Sequence, residues 1–269
     1  MKHSEEHTME NREITVVKVG GGVVEDEASL SLLLDHIAQL SGRVVLVHGG
    51  GRSATRIAAR MGVETTMIGG RRVTDSEMLR IVTMVYGGLV GRNIVAQMAA
   101  RSRRAVSLTG ADLSLIRAHR RAVLPDGTDY GWVGDVDSVD GLSLLRLLAD
   151  GIMPVVAPLT HDGRGHLLNT NADTIAQATA TALAAADTQA SVTLTYCFEL
   201  PGVLRDAADT ASLIPHIDTD AYASLVAEGI VSGGMLPKLD NAFAALRKGV
   251  KRVRITSVTD LPGGTTITL

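Results

Sequence analysis

The sequence predicts an α/β fold: a largely parallel sheet covered by helices on both faces. Short runs dense in Val, Ile and Leu recur along the chain, and they read as near-continuous apolar segments, as strands buried on both faces do. Stretches with helical apolar spacing separate them, and such β-α alternation calls for parallel strands joined by crossover helices. The 269 residues suffice for one large domain or two lobes with a sizeable core.

The elements follow in order. The first strand, Ile14–Val19, carries Lys18 near its end and runs into Gly20, Gly21 and Gly22. A helix is predicted over Glu27–Leu40. The second strand, Arg43–Val47, leads through His48 into Gly49, Gly50 and Gly51, and a helix over Arg52–Met61 begins at once. A long helix over Ser76–Ala100 opens with Thr74-Asp75-Ser76-Glu77, the pattern of a capping box. It contains Gly87, Gly88 and Gly91. Glycine costs an exposed helix interior about 1 kcal/mol relative to alanine, so three of them predict either close approach of another backbone across a two-fold axis or a kink in the helix. Further strands fall at Ala105–Leu108, Met153–Ala157, Val192–Tyr196 and Arg252–Thr256. Further helices fall near Gly141–Asp150, Asn171–Ala186, Thr219–Glu228 and Leu239–Lys248. Two segments break the alternation. Leu113–Val136 holds a Pro-Asp-Gly turn and Ala157–Asn171 an Asp-Gly turn, so both are predicted hairpins. With no internal repeat, low-complexity tract or linker, the two halves are expected to share one sheet.

Composition excludes several classes. Lys and Arg number 26 against 29 Asp and Glu, for a net charge of −3, so no basic field exists to hold nucleic acid. With one Trp, two Phe and four Tyr, stacking platforms for bases are scarce. Cys197 is the only cysteine, which rules out an internal disulfide and a four-cysteine zinc site. The polar opening stretch lacks the apolar segment of a secretory signal, and no apolar run reaches the ~18 residues of a membrane span. A cytoplasmic protein is expected.

Two strands that end in glycine-only loops suggest a site built from backbone amides, which suits anions. The second loop also opens a helix, whose free N–H groups and dipole favour negative charge. Neither loop fits the dinucleotide fingerprint or the P-loop, and a tight turn alone needs no ligand. Lys18, at the end of a buried strand, requires a counter-charge; a salt bridge or a bound phosphate would each supply it. Arg71 and Arg72 precede a capped helix, where one could bond a carboxylate bidentately or both could lie in a solvated loop. Asn169, Asn171 and Asp173 cluster where a hairpin meets a helix, more polar groups than a cap requires. Lys238 begins another helix after Gly233-Gly234. His48 is expected to bond backbone at its strand end.

The segments "KVGG", "VHGGG", "GRRVTD", "LTGAD", "LNTNAD" and "GGMLPKL", in this order and spacing, resemble the amino acid kinase family from about Ile14 to the C-terminus. The resemblance implies a three-layer α/β/α sandwich with a mainly parallel central sheet. It implies a single domain over 1–269, in which a lobe of about 12–168 binds acylglutamate and a lobe of about 169–269 binds ATP. The implied reaction, with ATP and Mg²⁺, phosphorylates the side-chain carboxylate of N-acetyl-L-glutamate to an acyl phosphate, an early step of arginine biosynthesis. The alternatives are another acceptor of the same family (aspartate, glutamate, carbamate or a nucleotide), against which "LNTNAD" and "GRRVTD" favour acylglutamate, N-succinyl-L-glutamate as acceptor, or a catalytically silent ligand sensor. Carried over by motif, Lys18 and Lys238 would stabilise the transferring phosphoryl group and Asp173 would organise them. Gly20, Gly21 and Gly50 would offer amides, and Gly202 would join Lys238 in the nucleotide site. Gly49, Gly50, Arg72 and Asn169 would hold acylglutamate, with Arg72 on its α-carboxylate. No residue is implied as a metal ligand. A homodimer is the expected assembly. The stretch before Ile14 is shorter than in arginine-inhibited hexameric members, so feedback inhibition by arginine is not expected. One departure stands out: "CFELPGVL" replaces the family's Asp-Val-x-Gly-Val/Ile, leaving Gly202 and Val203 in place.

Overall fold

The computed structural model describes residues 12–206, 208–231 and 235–269. The stretch before Asn11 and the Gly233-Gly234 step, both singled out above, lie outside the described residues. In chain order the strands are β1 (Glu13–Val19), β2 (Arg43–His48), β3 (Met67–Ile68), β4 (Arg71–Arg72), β5 (Ala105–Leu108), β6 (Ile116–Arg120), β7 (Gly134–Val139), β8 (Met153–Val156), β9 (Leu159–His161), β10 (Leu167–Asn169), β11 (Ser191–Phe198), β12 (His216–Ile217), β13 (Arg252–Ser257) and β14 (Thr265–Ile267). The main sheet has eight strands in the order β12-β14-β13-β11-β1-β2-β8-β5. Strands β13, β11, β1, β2, β8 and β5 run parallel, and β14 pairs antiparallel with β13. The expected parallel sheet is therefore present and runs through both halves of the chain. The short strands β12 and β14 escape the sequence reading because two or three residues carry no period.

The helices are α1 (Gly21–Glu25), α2 (Glu27–Gln39), α3 (Gly51–Arg60), α4 (Ser76–Val82), α5 (Gly91–Ala100), α6 (Gly141–Ala149), α7 (Ala172–Ala186), α8 (Thr219–Ala227) and α9 (Leu236–Arg247). Successive residues of a strand face opposite sides, and β1 divides accordingly. Val17 and Val19 pack with Leu33, Leu34 and Ile37 of α2, Ala54 and Ala58 of α3, and Ile94 and Met98 of α5. Ile14 and Val16 pack with Leu144 of α6, Ile175 and Leu183 of α7, Leu225 of α8 and Phe243 of α9. Helix, sheet and helix make three layers, as the family resemblance implies. Fully buried side chains such as Leu33 and Ile37 each contribute about 1.5–3 kcal/mol through burial.

Several local expectations change. The glycines after β1 do not form an open loop: Gly21 and Gly22 begin α1. The helix over Ser76–Ala100 is continuous but passes through a π-helical stretch, Thr83–Val90, that holds Gly87 and Gly88. The three glycines do not share one role. A Cβ on Gly91 would collide with the Ser107 hydroxyl of the same chain, one on Gly87 would touch Thr109, and of the three only Gly88 meets open space among the described residues. The capping box is displaced as well. Asp75, not Thr74, is the N-cap of α4, accepting a hydrogen bond from Met78 N at 2.7 Å. Arg71 and Arg72 lie in a strand, not a solvated loop. Gly69 and Gly70, with φ of 55° and 74°, close the β3–β4 hairpin with the two positive φ values that such a tight turn needs. The two predicted hairpins are both present, as β6–β7 and β9–β10, and join in a second sheet of order β10-β9-β6-β7.

Candidate active site

The carboxyl ends of β1, β2 and β11 converge with the starts of α3, α7 and α9. Lys18 is 8% exposed on β1, and burying its stem among apolar neighbours would leave its ammonium costly without a partner. Asp173 supplies it, with Oδ1 2.8 Å from Nζ. The position of Asp173 follows from its helix. The Asn171 side chain accepts from the Asp173 and Thr174 amides, at 2.8 and 3.1 Å, and so caps α7. The carboxylate thus sits in the first turn, where the dipole favours it. Lys238, in the first turn of α9, makes no ion pair with Asp173; its Nζ lies 4.0 Å from the centroid of the Phe198 ring. Burial lowers the Lys238 pKa, Asp173 opposes that, and the neighbouring Lys18 adds to it.

The glycines gather beside these lysines. Gly50 caps α3 with no side-chain hydrogen bond, which leaves the helix's first amides to other acceptors. A Cβ on Gly21 would stand 3.6 Å from both Gly50 N and Gly51 N, so the missing side chain keeps those amides accessible. Gly49 donates its own amide to Val19 O at 3.0 Å, and a Cβ there would come within 3.0 Å of Gly21 N. Around Gly20, by contrast, no atom of the described residues lies within 4 Å of a Cβ. Gly202 is needed for packing, since a Cβ would press on Leu213 and on Thr265 at 2.6 Å.

Two cavities meet here. One of about 450 Å³ is lined by Lys18, Gly20, Gly21, Phe198, Gly202 and Lys238. The other, of about 210 Å³, is lined by Gly49, Gly50, Arg72, Tyr86 and Asn169. Gly51 belongs to both. Every site residue that the resemblance implies, except Asp173, thus lines one cavity or the other, and Asp173 touches the lysine of the first. Larger hollows, of about 570 and 730 Å³, lie elsewhere, but neither gathers lysines and helix-start amides, so chemistry rather than volume identifies the site.

Arg72 is buried, and among the described residues no carboxylate pairs with it. Its Nη2 donates to Gly51 O at 2.8 Å and Thr55 Oγ1 at 2.9 Å, while Nη1 donates to Thr65 Oγ1 at 3.3 Å. It therefore steadies the glycine turn while presenting a cation to the smaller cavity. Asn169 donates from Nδ2 to Thr74 Oγ1 at 2.9 Å, which aims its amide. Tyr86, whose ring abuts Gly50, has its pKa raised by burial although Arg72 opposes the shift. His48 is fully buried and bonds the Gly49 carbonyl from Nδ1 at 2.7 Å, as a strand-end histidine does. Burial pushes its pKa down to about 4, so the neutral ring is the donor at neutral pH. Burial also pushes the Cys197 thiol up to about 12; it is an inert, packed group.

Sequence reasoning missed Phe198, Tyr86, Thr74 and Arg52. Arg52 lines the larger cavity and reaches Glu199 at 3.8 Å. For Phe198 a signal existed in the unusual "CFEL" stretch. Tyr86 and Thr74 act through contacts between residues far apart in sequence, which no local pattern encodes.

Glycine amides, two lysines and a helix start gather at the carboxyl ends of parallel strands, a set of groups that suits anions. The chain belongs to the amino acid kinase family, whose model matches residues 13–257. It is 54% identical over 256 residues to the acetylglutamate kinase of Bacteroides fragilis, covering 94% of this chain and 96% of that one. Identity to the acetylglutamate kinase of Bacteroides thetaiotaomicron is 56% over 243 residues, covering 90% and 93% of the two chains. The fold is shared with N-acetylglutamate synthase from Neisseria gonorrhoeae, at a TM-score of 0.79 and 24% identity over 99% of this chain and 62% of that one. It is shared also with carbamate kinase from Giardia lamblia, at a TM-score of 0.66 and 14% identity over 97% and 99% of the chains.

Proposed function

We propose that this chain is an ATP-dependent kinase that phosphorylates the side-chain carboxylate of N-acetyl-L-glutamate, an early step of arginine biosynthesis. The observation that carries the reading is the Lys18–Asp173 pair, 2.8 Å apart, beside two cavities that meet at Gly51. The names of relatives more than half identical to the chain support the acceptor.

A carboxylate needs no general base to become nucleophilic. The barrier lies in bringing two anions together and in neutralising charge as it spreads over the transferring group. The acceptor oxygen attacks the γ-phosphorus, the bond from that phosphorus to the β,γ-bridging oxygen breaks, and ADP leaves with the electron pair. Lys18 and Lys238 offset the charge developing on the phosphoryl oxygens, and Asp173 keeps Lys18 extended toward them. The amides of Gly50 and Gly51 complete the cradle, left open by Gly21. Arg72 takes the α-carboxylate of acylglutamate, with Asn169 and Gly49 beside it. The lobe of about 12–168 carries most of the acceptor cavity and that of about 169–269 contributes Gly202 and Lys238 to the nucleotide cavity, which Lys18, Gly20 and Gly21 complete from the first lobe. Among the described residues no cluster of His, Cys, Asp and Glu forms a metal site. Mg²⁺ bound with ATP would supply charge neutralisation at the phosphates beside Lys18 and Lys238.

The test is to incubate the protein with ATP, Mg²⁺ and N-acetyl-L-glutamate and trap the acyl phosphate with hydroxylamine. Hydroxamate formed in step with ADP is expected; none would overturn the kinase reading in favour of a silent sensor. A parallel assay with N-succinyl-L-glutamate fixes the acyl group, and a higher kcat/KM for that compound would overturn the choice of acetyl. The assembly is a homodimer packed through the exposed Gly88 face, to be checked by light scattering with a Gly88→Leu variant. Among the described residues no helix is long and apolar enough to cross a membrane.

A further inference from the structure

Strand β11 ends on Phe198, a residue of the stretch where this chain departs from the family pattern. Its ring is partly buried and forms the wall of the larger cavity. Lys238 Nζ lies 4.0 Å from the ring centroid and Lys18 Nζ lies 5.2 Å from it. Tyr196, two residues earlier and hence on the same face of the strand, stacks on Phe198 with centroids 6.1 Å apart and planes 14° apart. Lys18 is in register with Tyr196 across the β1–β11 pair. The ring is therefore held by its strand and by Tyr196 while two ammonium groups approach it.

We propose that Phe198 is a positioning residue, whose ring holds the ammonium groups of Lys18 and Lys238 together at the phosphate cavity. The inference rests on the kinase reading for its purpose but not for its geometry. Two like charges converging on one cavity repel, and each ends a flexible stem of four carbons. Among the described residues Asp173 pairs directly with Lys18 alone. The negative face of an aromatic ring attracts a cation, so Phe198 provides for Lys238 what Asp173 provides for Lys18. A ring also carries no charge and makes no strong hydrogen bond. It can give up the ammonium groups when phosphates arrive, whereas a second carboxylate would compete with ATP for them and repel its anions. Packing alone would account for an apolar side chain at this position, but not for the dependence on a π face that the test measures.

The test separates ring from bulk. Phe198→Leu keeps an apolar side chain without the π face, and Phe198→Tyr keeps the face. Phe198→trifluorophenylalanine keeps the shape, and hence the fold, while draining the face of negative charge. The first readout needs no catalysis: titration of Lys238 by NMR in ligand-free protein with ¹³C-dimethylated lysines. The other charged groups that face Lys238 among the described residues, namely Lys18, Asp173, Arg52 and Glu199, are the same in every variant. Lys238 is expected to lose its proton at lower pH in the Leu and trifluoro variants than in wild type or Phe198→Tyr. The second readout is kcat/KM for ATP, expected to fall on the order of tenfold in the Leu and trifluoro variants and to be retained in Phe198→Tyr, with KM for acylglutamate unchanged. An unaltered Lys238 titration in the trifluoro variant, or equal losses in the Tyr and trifluoro variants, would overturn the proposal. A wild-type protein that forms no acyl phosphate would overturn the kinase reading, and the titration would still decide the role of the ring.

Discussion

Replacing Asp173 by Asn removes the negative charge at the centre of the site while keeping the shape of the side chain. Asp173 Oδ1 lies 2.8 Å from Lys18 Nζ, and at an effective dielectric constant of about 20 the bare attraction at that separation is about 6 kcal/mol. The Lys18 side chain is 10% exposed and that of Asp173 35%, so solvent screening and desolvation cut the net value to on the order of 1–3 kcal/mol. That much can be lost from stability. The effect on turnover should be larger, because a misplaced Lys18 no longer meets the charge that develops in transfer. A fall in kcat on the order of 10²–10³-fold is expected. The alkaline limb of the pH–rate profile should move too. Asp173 raises the Lys238 pKa against the lowering caused by burial and by Lys18. Activity needs the ammonium and is lost as pH rises through that pKa, so without the carboxylate the limb shifts to lower pH. The assay is the initial rate of hydroxamate formation at saturating substrates from neutral to alkaline pH, on protein shown to be folded by thermal unfolding. A folded Asp173→Asn enzyme with near wild-type kcat and an unmoved limb would refute the reasoning.

Arg72→Ala should chiefly raise KM for acylglutamate; because Arg72 also donates to Gly51 O and Thr55 Oγ1, Tm should fall, by the equivalent of about 1–3 kcal/mol. Gly21→Ala should raise KM for ATP with little change in Tm, since its Cβ reaches Gly50 N at an unstrained 3.6 Å and masks the amides. Gly50→Ala should destabilise by about 1–3 kcal/mol in denaturant titrations, since its Cβ would stand 2.9 Å from Tyr86 Cδ1. His48 gives a pH test. Its folded pKa is pushed from 6.5 down to about 4, so between those values the unfolded chain holds the proton and the folded one does not. Its contribution is complete above 6.5 and is lost as pH falls toward 4, by up to about 3 kcal/mol; His48→Asn should flatten that part of the stability–pH curve.

The sheet was legible because its central strands are buried on both faces and must be apolar throughout. Ile14–Val19 and Val192–Tyr196 announce themselves for that reason. What stayed hidden was set by tertiary contact. The roles of Gly87, Gly88 and Gly91 look alike in sequence, yet one clears Ser107, one touches Thr109 and one faces open space. The π-helical turn that separates them has no sequence period of its own. Arg72 could equally have lain in a solvated loop, until the Gly69-Gly70 turn folded it back against Gly51.

The site was legible for a different reason. Its residues sit where elements end, and the ends carry marks that local chemistry requires: glycine where backbone must approach backbone, Asn before a helix start, lysine where a buried strand opens to a cavity. Asp173 combines two such marks, since the cap made by Asn171 fixes it in the first turn of α7 and the sheet brings Lys18 up to meet it. Phe198 carries none of these marks of local chemistry, only its place in the unusual "CFEL" stretch. An aromatic residue closing a strand reads as core, and only the arrival of Lys238 from a helix that begins thirty-eight residues after it turns its face into part of an electrostatic site. Residues that act through their own backbone or charge can be read from sequence. Those that act by holding another side chain can be read only once the fold has shown which side chain that is.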